Sequence, residues 1–249
     1  MKKIMRLIAG YVRFRLHKVG FFQEWRYSTV TAGEWINQRC RCRPEFSNFQ
    51  PALVKLLQES ECILRGHFRT NPEKNLCSAF FLRVGKITRF YPNYLPIAKE
   101  LVQALQRRNV EFDAFLSVDA GAAGTIAFGM EEEYKEGKPL FIALTDQYRR
   151  LTNDNNFYDV MESKRVVIVQ DLLDKNNLCA LADLALQKNH AIAAVIVMTK
   201  KKSEVMPNIA AIKDIPQIIM FEIDFPEDEV TSAKCKNCPD IIIPAWQMN

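Results

Sequence analysis

Long apolar runs are missing from this sequence of 249 residues. A helix needs roughly 20 consecutive apolar residues to span a bilayer, and no stretch approaches that length. The sequence therefore predicts no transmembrane segment. Its overall composition, 48% hydrophobic and 25% charged, is typical of a soluble globular protein with a sizeable core.

Histidine is scarce, and cysteine occurs in an odd number. The three histidines, at positions 17, 67 and 190, are too dispersed to predict a histidine-based catalytic cluster. Seven cysteines, several within apolar segments, argue against a disulfide framework and favour the cytoplasm or another reducing compartment.

Two pairs of closely spaced cysteines suggest a zinc site as one interpretation. Cys235-Lys-Asn-Cys238 has a familiar ligand spacing, and Cys40-Arg-Cys42 would complete a set of four thiolates. Nearly 200 residues separate the two pairs, and CxC is the poorer chelating half. The alternative interpretation is unligated thiols.

Acidic residues are scarce at the N-terminus. Residues 1–50 hold ten Lys/Arg against three Glu, whereas the rest of the chain holds 24 against 26. This asymmetry predicts a basic extension over residues 1–50 and a separate domain over residues 51–249. The extension is open to three interpretations: an organellar targeting or membrane-surface helix, a helix that packs on the domain, and an RNA-binding arm with nine aromatic residues among the cations.

The apolar pattern beyond residue 50 alternates between helix and strand. It predicts a helix over 51–65, one or two strands over 79–92 and a helix over 94–108. Short apolar strands then alternate with helices, at 113–118, 139–144, 165–170, 191–198, 217–222 and 239–243. Such alternation predicts an α/β fold with three layers, a parallel sheet covered on both faces by helices.

Ligands of parallel sheets bind beyond the carboxyl ends of the strands, which directs attention to residues 119–124 and 170–177. In the first stretch, VDAGAAG, small residues at a helix start leave free N–H groups that attract anions, although Gly and Ala also serve close packing. In the second, Asp171 is placed to accept hydrogen bonds from ribose hydroxyls. Asp174 is well placed to cap the following helix with its side chain.

These segments, in this order, resemble the type I phosphoribosyltransferases, and most closely their orotate phosphoribosyltransferase branch. LRGHF (64–68) and RVGKITRFY (83–91) are similar to that branch's early segment, and DAFLSVDAGAAGTIAFG (113–129) to its pyrophosphate loop. The polar stretch 145–163 stands where the family has a mobile catalytic loop, and KRVVIVQDLLDKNN (164–177) falls on its ribose 5-phosphate segment. The resemblance covers roughly residues 60–200.

The resemblance implies a three-layer phosphoribosyltransferase-like fold and a homodimer, with phosphoribosyl diphosphate or a nucleotide as ligand. It implies Mg²⁺ for the catalysed transfer to a nucleobase. Asp171, Arg149 and Arg150 would be the catalytic residues. The residues implied to bind phosphoribosyl diphosphate are Lys86, Asp119, Ala120, Gly121, Ala122, Ala123, Gly124, Gln170, Asp171, Asp174, Lys175, Asn176 and Asn177.

Several positions depart from the family's pattern. Gln170 replaces the first carboxylate of the acidic pair, and Asp174 replaces the hydroxyl residue of the phosphate loop. Lys175 and Asn176 stand where the family has a small residue and glycine. A carboxylate facing a phosphate is repulsive, and the loss of glycine removes a backbone that lets amides converge on an anion. Two hypotheses follow: a transferase with a weakened site, and a non-catalytic nucleotide- or protein-binding relative.

Overall fold

The computed structural model of the chain describes residues 28–71, 76–88, 91–118, 122–134, 138–143, 164–225, 227–228 and 243–244. The helices, in chain order, are α1 (Gly33–Arg39), α2 (Gln50–Glu59), α3 (Val84–Thr88), α4 (Tyr91–Arg107), α5 (Ala123–Tyr134) and α6 (Lys175–Gln187), with a 3₁₀ helix at Pro44–Phe49. The strands are β1 (Ser28–Thr29), β2 (Cys40–Cys42), β3 (Ile63–Asn71), β4 (Leu76–Leu82), β5 (Ala114–Val118), β6 (Leu140–Ala143), β7 (Arg165–Leu172), β8 (Ala191–Lys201), β9 (Gln217–Ile223), β10 (Glu227–Asp228) and β11 (Ile243–Pro244).

The central sheet has six strands in the order β2-β9-β8-β7-β5-β6. Strands β5 to β9 are parallel, and β2 joins the outer edge of β9 antiparallel. The strands of the parallel part are almost wholly buried because they are apolar on both faces, as at Val166–Val169 in β7.

Each face of this sheet has its own apolar layer. Along β7, Val167 and Val169 face the side covered by α2, α4 and α5, whereas Val166 and Ile168 face α6. The alternation follows from the two-residue period of a strand. The predicted three-layer α/β fold is therefore confirmed.

A smaller sheet is formed by β1, β3, β4 and β10, with β11 parallel to β3. The described part of the basic segment links the two sheets, since β1 pairs with β3 and β2 pairs with β9. Ile36, Phe46 and Phe49 bury their side chains in the main core. Residues 28–49 thus pack into the domain, while residues 1–27 lie outside the described part.

Two element predictions are wrong in detail, and a third falls largely outside the described residues. Residues 84–88 form the helix α3 and not a strand, because Val84, Ile87 and Thr88 are buried at helical spacing. The helix predicted over 51–65 ends at Glu59, and Glu61 follows in a left-handed conformation (φ 48°) before β3. Of the strand predicted at 239–243, only residue 243 is described, and it pairs within the smaller sheet.

Candidate functional site

The order of the parallel strands reverses between β5 and β7. The chain moves from β5 outward to β6, then returns to place β7 on the other side of β5. Taken in chain order, the five parallel strands are arranged 2-1-3-4-5, and ligands of such sheets bind at the carboxyl edge where the order reverses. Residues 122–124 follow β5, and residues 170–177 comprise the end of β7 and the loop and helix start after it, so the topology brings the described parts of the two predicted stretches to one crevice.

Asp171 connects the two strand ends. Its Oδ2 accepts a hydrogen bond of 2.8 Å from the backbone N–H of Ala122, which lies just before α5. Its Oδ1 accepts a second, also 2.8 Å, from the backbone N–H of Leu172. The Asp171 carboxylate, predicted to bind a ribose, therefore links the end of β7 to the start of α5. It also accepts a hydrogen bond from the Ala122 amide, which the resemblance assigns to diphosphate binding.

Asp174 caps α6 with its side chain. The backbone N–H groups of Asn176 and Asn177 each donate to Asp174 Oδ1 at 3.0 Å, and the Asn177 amide donates to Oδ2 at 3.2 Å. Helix-start amides of this kind would otherwise bind water or an anion. The capping role predicted for Asp174 is confirmed, and its carboxylate lies on the amides that the resemblance assigns to a 5-phosphate.

The side chain of Gln170 forms hydrogen bonds within the same loop, residues 170–174. Its side chain is 2% exposed. Its Oε1 accepts from the backbone N–H of Asp174, and its Nε2 donates to the backbone carbonyl of Asp174, both at 3.3 Å. Such a two-sided contact needs an amide, because a carboxylate there would repel the carbonyl. Gln170 therefore sets the shape of residues 170–174.

The other described candidates have packing roles or lie elsewhere. Ala122 and Ala123 are fully buried. A Cβ on Gly124 would lie 3.2 Å from the carbonyl oxygen of Val118, so this glycine permits close packing of α5 on β5. Lys86 lies on α3, where its charge acts on the buried thiol of Cys62. Lys175 is exposed in the first turn of α6.

Several predicted site residues lie outside the described residues. They are Asp119, Ala120 and Gly121 of the first strand end, Arg149 and Arg150 of the polar stretch, and Cys235 and Cys238 of the zinc hypothesis. Their roles stay predictions.

Cys40 and Cys42 line the inner face of β2. Cys40 is fully buried, and desolvation raises the pKa of its thiol far above the usual value. Burial likewise raises the pKa of Cys42 to about 12, with Glu100 acting in the same direction. Because zinc binds the thiolate form, these two thiols would have to be deprotonated against their surroundings. Across the described ranges, no group of three or more His, Cys, Asp or Glu is placed to hold a metal ion.

Two lysines at the carboxyl end of β8, Lys200 and Lys202, form ion pairs with carboxylates. Lys200 is 7% exposed, and its Nζ lies 2.9 Å from Glu222 and 2.8 Å from the carbonyl of Glu204. Lys202 lies 3.1 Å from Asp224. These cations therefore stabilise the ends of β8 and β9. The sequence pattern, lysines after an apolar run, did not predict this role.

Thr199, at the same edge, is fully buried, and its hydroxyl has no hydrogen-bond partner among the described residues. Its backbone carbonyl accepts from the N–H of Leu173 at 2.9 Å, so it lies directly beside the 170–174 loop. The only signal in the sequence was a β-branched polar residue at the end of an apolar strand.

In the part of the chain that the structure describes, no helix is both long and apolar enough to cross a membrane.

No family model and no curated protein matches this chain. Solved structures similar to it include orotate phosphoribosyltransferase from Francisella tularensis, with 12% identity and a TM-score of 0.46 over 68% of this chain and 84% of that one. Orotate phosphoribosyltransferase from Mycobacterium tuberculosis has 9% identity and a TM-score of 0.49 over 66% and 93%. UMP synthase from Leishmania donovani has 17% identity and a TM-score of 0.49 over 72% of this chain and 39% of that one. The solved structures similar to this chain thus include members of the enzyme class that the sequence resembles, and the roles of single residues depend on this chain's own contacts.

Proposed function

We propose that this chain is a phosphoribosyltransferase-like protein that does not catalyse phosphoribosyl transfer and acts by binding a nucleotide or a protein partner. One observation carries the proposal. Asp171 and Asp174 hydrogen-bond to amides at both strand ends, on the groups that a transferase would offer to the diphosphate and the 5-phosphate.

The charge of the crevice supports the same conclusion. Transfer requires cations and aligned amides to neutralise the departing diphosphate. The two carboxylates instead add negative charge where the phosphoryl groups would lie, and like charges at short distance are repulsive. Lys175 offsets part of that charge but supplies no converging amides.

Mg²⁺ does not fit the described donors. The ion prefers several oxygen ligands in octahedral geometry, commonly one or two carboxylates with water and phosphate oxygens. The first carboxylate of the pair is replaced by Gln170, whose oxygen accepts from Asp174, and both oxygens of Asp171 accept from backbone amides. The described residues therefore do not provide a complete set of ligands for this ion.

Titration calorimetry with phosphoribosyl diphosphate, with and without Mg²⁺, tests the proposal. We expect no detectable heat at millimolar ligand and no diphosphate release with orotate or purine bases as acceptors. An active orotate phosphoribosyltransferase assayed in parallel is the positive control. Saturable binding with turnover would contradict the proposal and favour the second candidate.

That second candidate is ordinary transfer, favoured by the retained carboxylate of Asp171 at the switch point. In it, Asp171 would bind the ribose hydroxyls, while Lys86, Arg149 and Arg150 would contribute positive charge. Substituting Arg149 and Arg150 together by Ala should then abolish turnover without changing the unfolding temperature. Unchanged turnover in the double variant would remove both arginines from the mechanism.

The binding role needs its own measurements. A thermal-shift screen of nucleoside mono- and diphosphates identifies a nucleotide ligand, and light scattering tests the proposed homodimer.

An RNA titration at several salt concentrations tests whether the basic segment binds RNA, because phosphate contacts give a steep salt dependence. Zinc analysis of protein purified without added metal tests the four cysteines.

A further inference from the structure

We propose that the outer edge of the central sheet binds single-stranded nucleic acid. The binding surface, which we name the basic face, lies where β2 pairs with β9, whereas the crevice lies between β5 and β7. The inference therefore goes beyond the proposed function and does not depend on it. The basic face comprises Arg39, Arg41, Arg43, Lys200, Lys202, Glu222 and Asp224.

Strand register places a carboxylate between cations on this face. Arg41 lies opposite Glu222 of β9, which in turn lies opposite Lys200 of β8. Glu222 Oε1 is 2.9 Å from Lys200 Nζ and 3.2 Å from the Arg43 guanidinium. The two cysteines of β2 alternate with these arginines and pack against the core on the other side of the sheet. The arginines thus project from the opposite side, where Arg41 and Arg43 are exposed.

Asp224 brings further cations together just beyond β9. Its carboxylate is 3.1 Å from Lys202 Nζ, and its backbone carbonyl accepts from the Arg39 guanidinium at 3.3 Å. The basic face thus holds five cations against two carboxylates. The adjoining Lys201 and Glu204 add one charge of each sign, so a surplus of three positive charges remains.

Arg41 is the cation of this face that is most available to a ligand. It is exposed, and among the described residues its guanidinium has neither a hydrogen bond nor an ion pair. Arg43 lies two positions along the chain, about 7 Å away in an extended strand, and successive phosphates of an extended nucleic acid strand have a comparable spacing. A guanidinium binds phosphate oxygens through paired N–H groups. The two arginines can therefore bind neighbouring phosphates.

The open edge of β2 is closed to an extended peptide. The backbone groups on that edge belong to Cys40 and Cys42, and the Gln50 side chain binds both residues. Its Oε1 accepts from the Cys42 N–H at 2.6 Å, and its Nε2 donates to the Cys40 carbonyl at 2.8 Å. A peptide strand that joins a sheet edge needs such groups free. A ligand of the basic face must therefore bind through side chains, which favours a phosphate backbone over an acidic peptide strand.

Three half-buried aromatic rings adjoin the basic face. The Trp35 ring centroid is 4.5 Å from that of Phe80 and 5.9 Å from that of Phe225. Trp35 precedes Arg39 by about one turn on α1, and Phe225 directly follows Asp224. Proteins that bind single strands combine cations with rings, because the bases stack on the rings while the cations bind the phosphates.

Fluorescence anisotropy of the full chain with a labelled oligouridylate of about 12 nucleotides tests the proposal, since single-strand binders have site sizes in this range. We expect saturable binding that weakens steeply with salt. Arg41→Gln removes no contact among the described residues and should weaken binding at least threefold.

Arg41→Gln combined with Arg43→Gln should weaken binding at least tenfold. The double variant should also lower the slope of log K against log salt by about 1.4, the value for two lost phosphate contacts to a single strand. An absence of binding at low salt, or unchanged affinity in the folded double variant, would overturn the proposal.

The matched control is Lys55→Gln with Lys99→Gln, which removes two exposed cations from α2 and α4 on the other side of the sheet. It should bind the oligonucleotide as tightly as wild type does. Equal losses in the two double variants would overturn the proposal, because net charge and not the basic face would then determine binding. Thermal unfolding establishes that each variant is folded.

Two further measurements separate the basic face from other sources of binding. Arg13→Gln with Arg15→Gln removes the same charge from residues 1–27, and a loss confined to this variant would overturn the proposal. Oligoglutamate of equal charge should bind at least tenfold more weakly than the oligonucleotide. Equal affinity, with the same loss in the Arg41 and Arg43 variant, would assign the basic face to an acidic protein partner instead.

Discussion

Single buried polar groups give the most direct tests at the residue scale. Thr199 on β8 and Ser117 on β5 are both fully buried in the central sheet, on either side of β7. The Ser117 hydroxyl donates to the carbonyl of Val169 at 3.0 Å, whereas the Thr199 hydroxyl has no partner in the described part of the chain. The two hydroxyls should therefore affect stability with opposite sign.

We expect Thr199→Val to raise the free energy of unfolding by about 1 kcal/mol, because it removes an unsatisfied group while keeping the shape of the side chain. Ser117→Ala should lower it by about 1 kcal/mol through the lost hydrogen bond. Urea unfolding of both variants measures the difference. A loss of stability in the Thr199 variant would mean that its hydroxyl has a partner in solution.

His190 should make stability depend on pH. It is 4% exposed, its Nδ1 accepts from the backbone N–H of Lys164 at 3.1 Å, and its ring stacks on Phe141. Burial holds the pKa of His190 below its usual value, and the charge of Lys164 acts in the same direction. The unfolded chain, with a pKa of about 6.5, therefore binds the proton first as the pH falls.

Its contribution to stability is thus complete above about pH 6.5 and is lost as the pH falls from there toward the lower folded pKa. Urea unfolding between pH 5 and 8 measures this slope. The variant His190→Gln should show a smaller slope than wild type over the same range. An equal slope in the variant would assign the effect to other groups.

The positions of Asp171 and Asp174 and the capping role of Asp174 could be predicted from the sequence, but the direction of the Asp171 carboxylate could not. Strand ends and capping residues follow from local patterns. The contact from Asp171 to Ala122 joins residues 49 positions apart, and Gln170 acts on the backbone of Asp174. Such contacts depend on strand order and loop shape, which no local spacing encodes.

At the element scale, the contact between α4 and α5 depends on one glycine. A Cβ on Gly129 would lie 2.8 Å from the Tyr94 ring and 3.1 Å from the Ala98 Cβ. Alanine normally favours a helix over glycine by up to about 1 kcal/mol. Here the overlap with α4 opposes that preference.

Gly129→Ala should therefore lower the free energy of unfolding, by about 1–3 kcal/mol, because the two helices must move apart. Gly85→Ala is the matched control, since a Cβ on this exposed glycine of α3 meets nothing within 4 Å. It should be neutral or stabilising by up to about 1 kcal/mol. Chemical denaturation of the two variants compares them, and a stable Gly129 variant would show that the helices tolerate a wider spacing.

The elements differ in how well the sequence predicts them. Strands β5, β7 and β8 were predictable because apolar runs of that length occur in buried parallel strands. Helix α3 was not, because Val84–Thr88 has only five residues and its apolar spacing fits a strand interrupted at Gly85 as well. The strand pairing of Cys40–Cys42 with β9 is set by tertiary contacts, so local pattern could not place it.

At the scale of the whole molecule, residues 28–49 are tied to the domain by both sheets and by the core. Cys40 and Cys62 are fully buried there. Burial raises the pKa of Cys62 to about 11, so little thiolate exists near neutral pH. Thiol reactivity can therefore report whether this segment unfolds alone.

We expect Cys40 and Cys62 to react with iodoacetamide only as the whole domain unfolds, with rates that rise through the urea transition. Cys179 on α6 is partly exposed and should react in the native state as an internal control. Mass spectrometry of labelled peptides separates the sites. Rapid native labelling of Cys40 would indicate that residues 28–49 open independently of the domain, as the predicted boundary at residue 50 implies.

The pairing of β2 with β9 also bears on how the chain folds during synthesis. Cys40 pairs with Ile223, 183 positions later (223 − 40). At 5–20 residues per second, a ribosome needs on the order of ten to forty seconds to cover that distance. During this interval the apolar side chains of Ile36 and Phe46 lack part of their cover, and β8 has no neighbour on one side. A nascent chain arrested before residue 217 would present β8 as an open strand edge of the kind that promotes aggregation, so we expect chaperones to engage this protein late in translation.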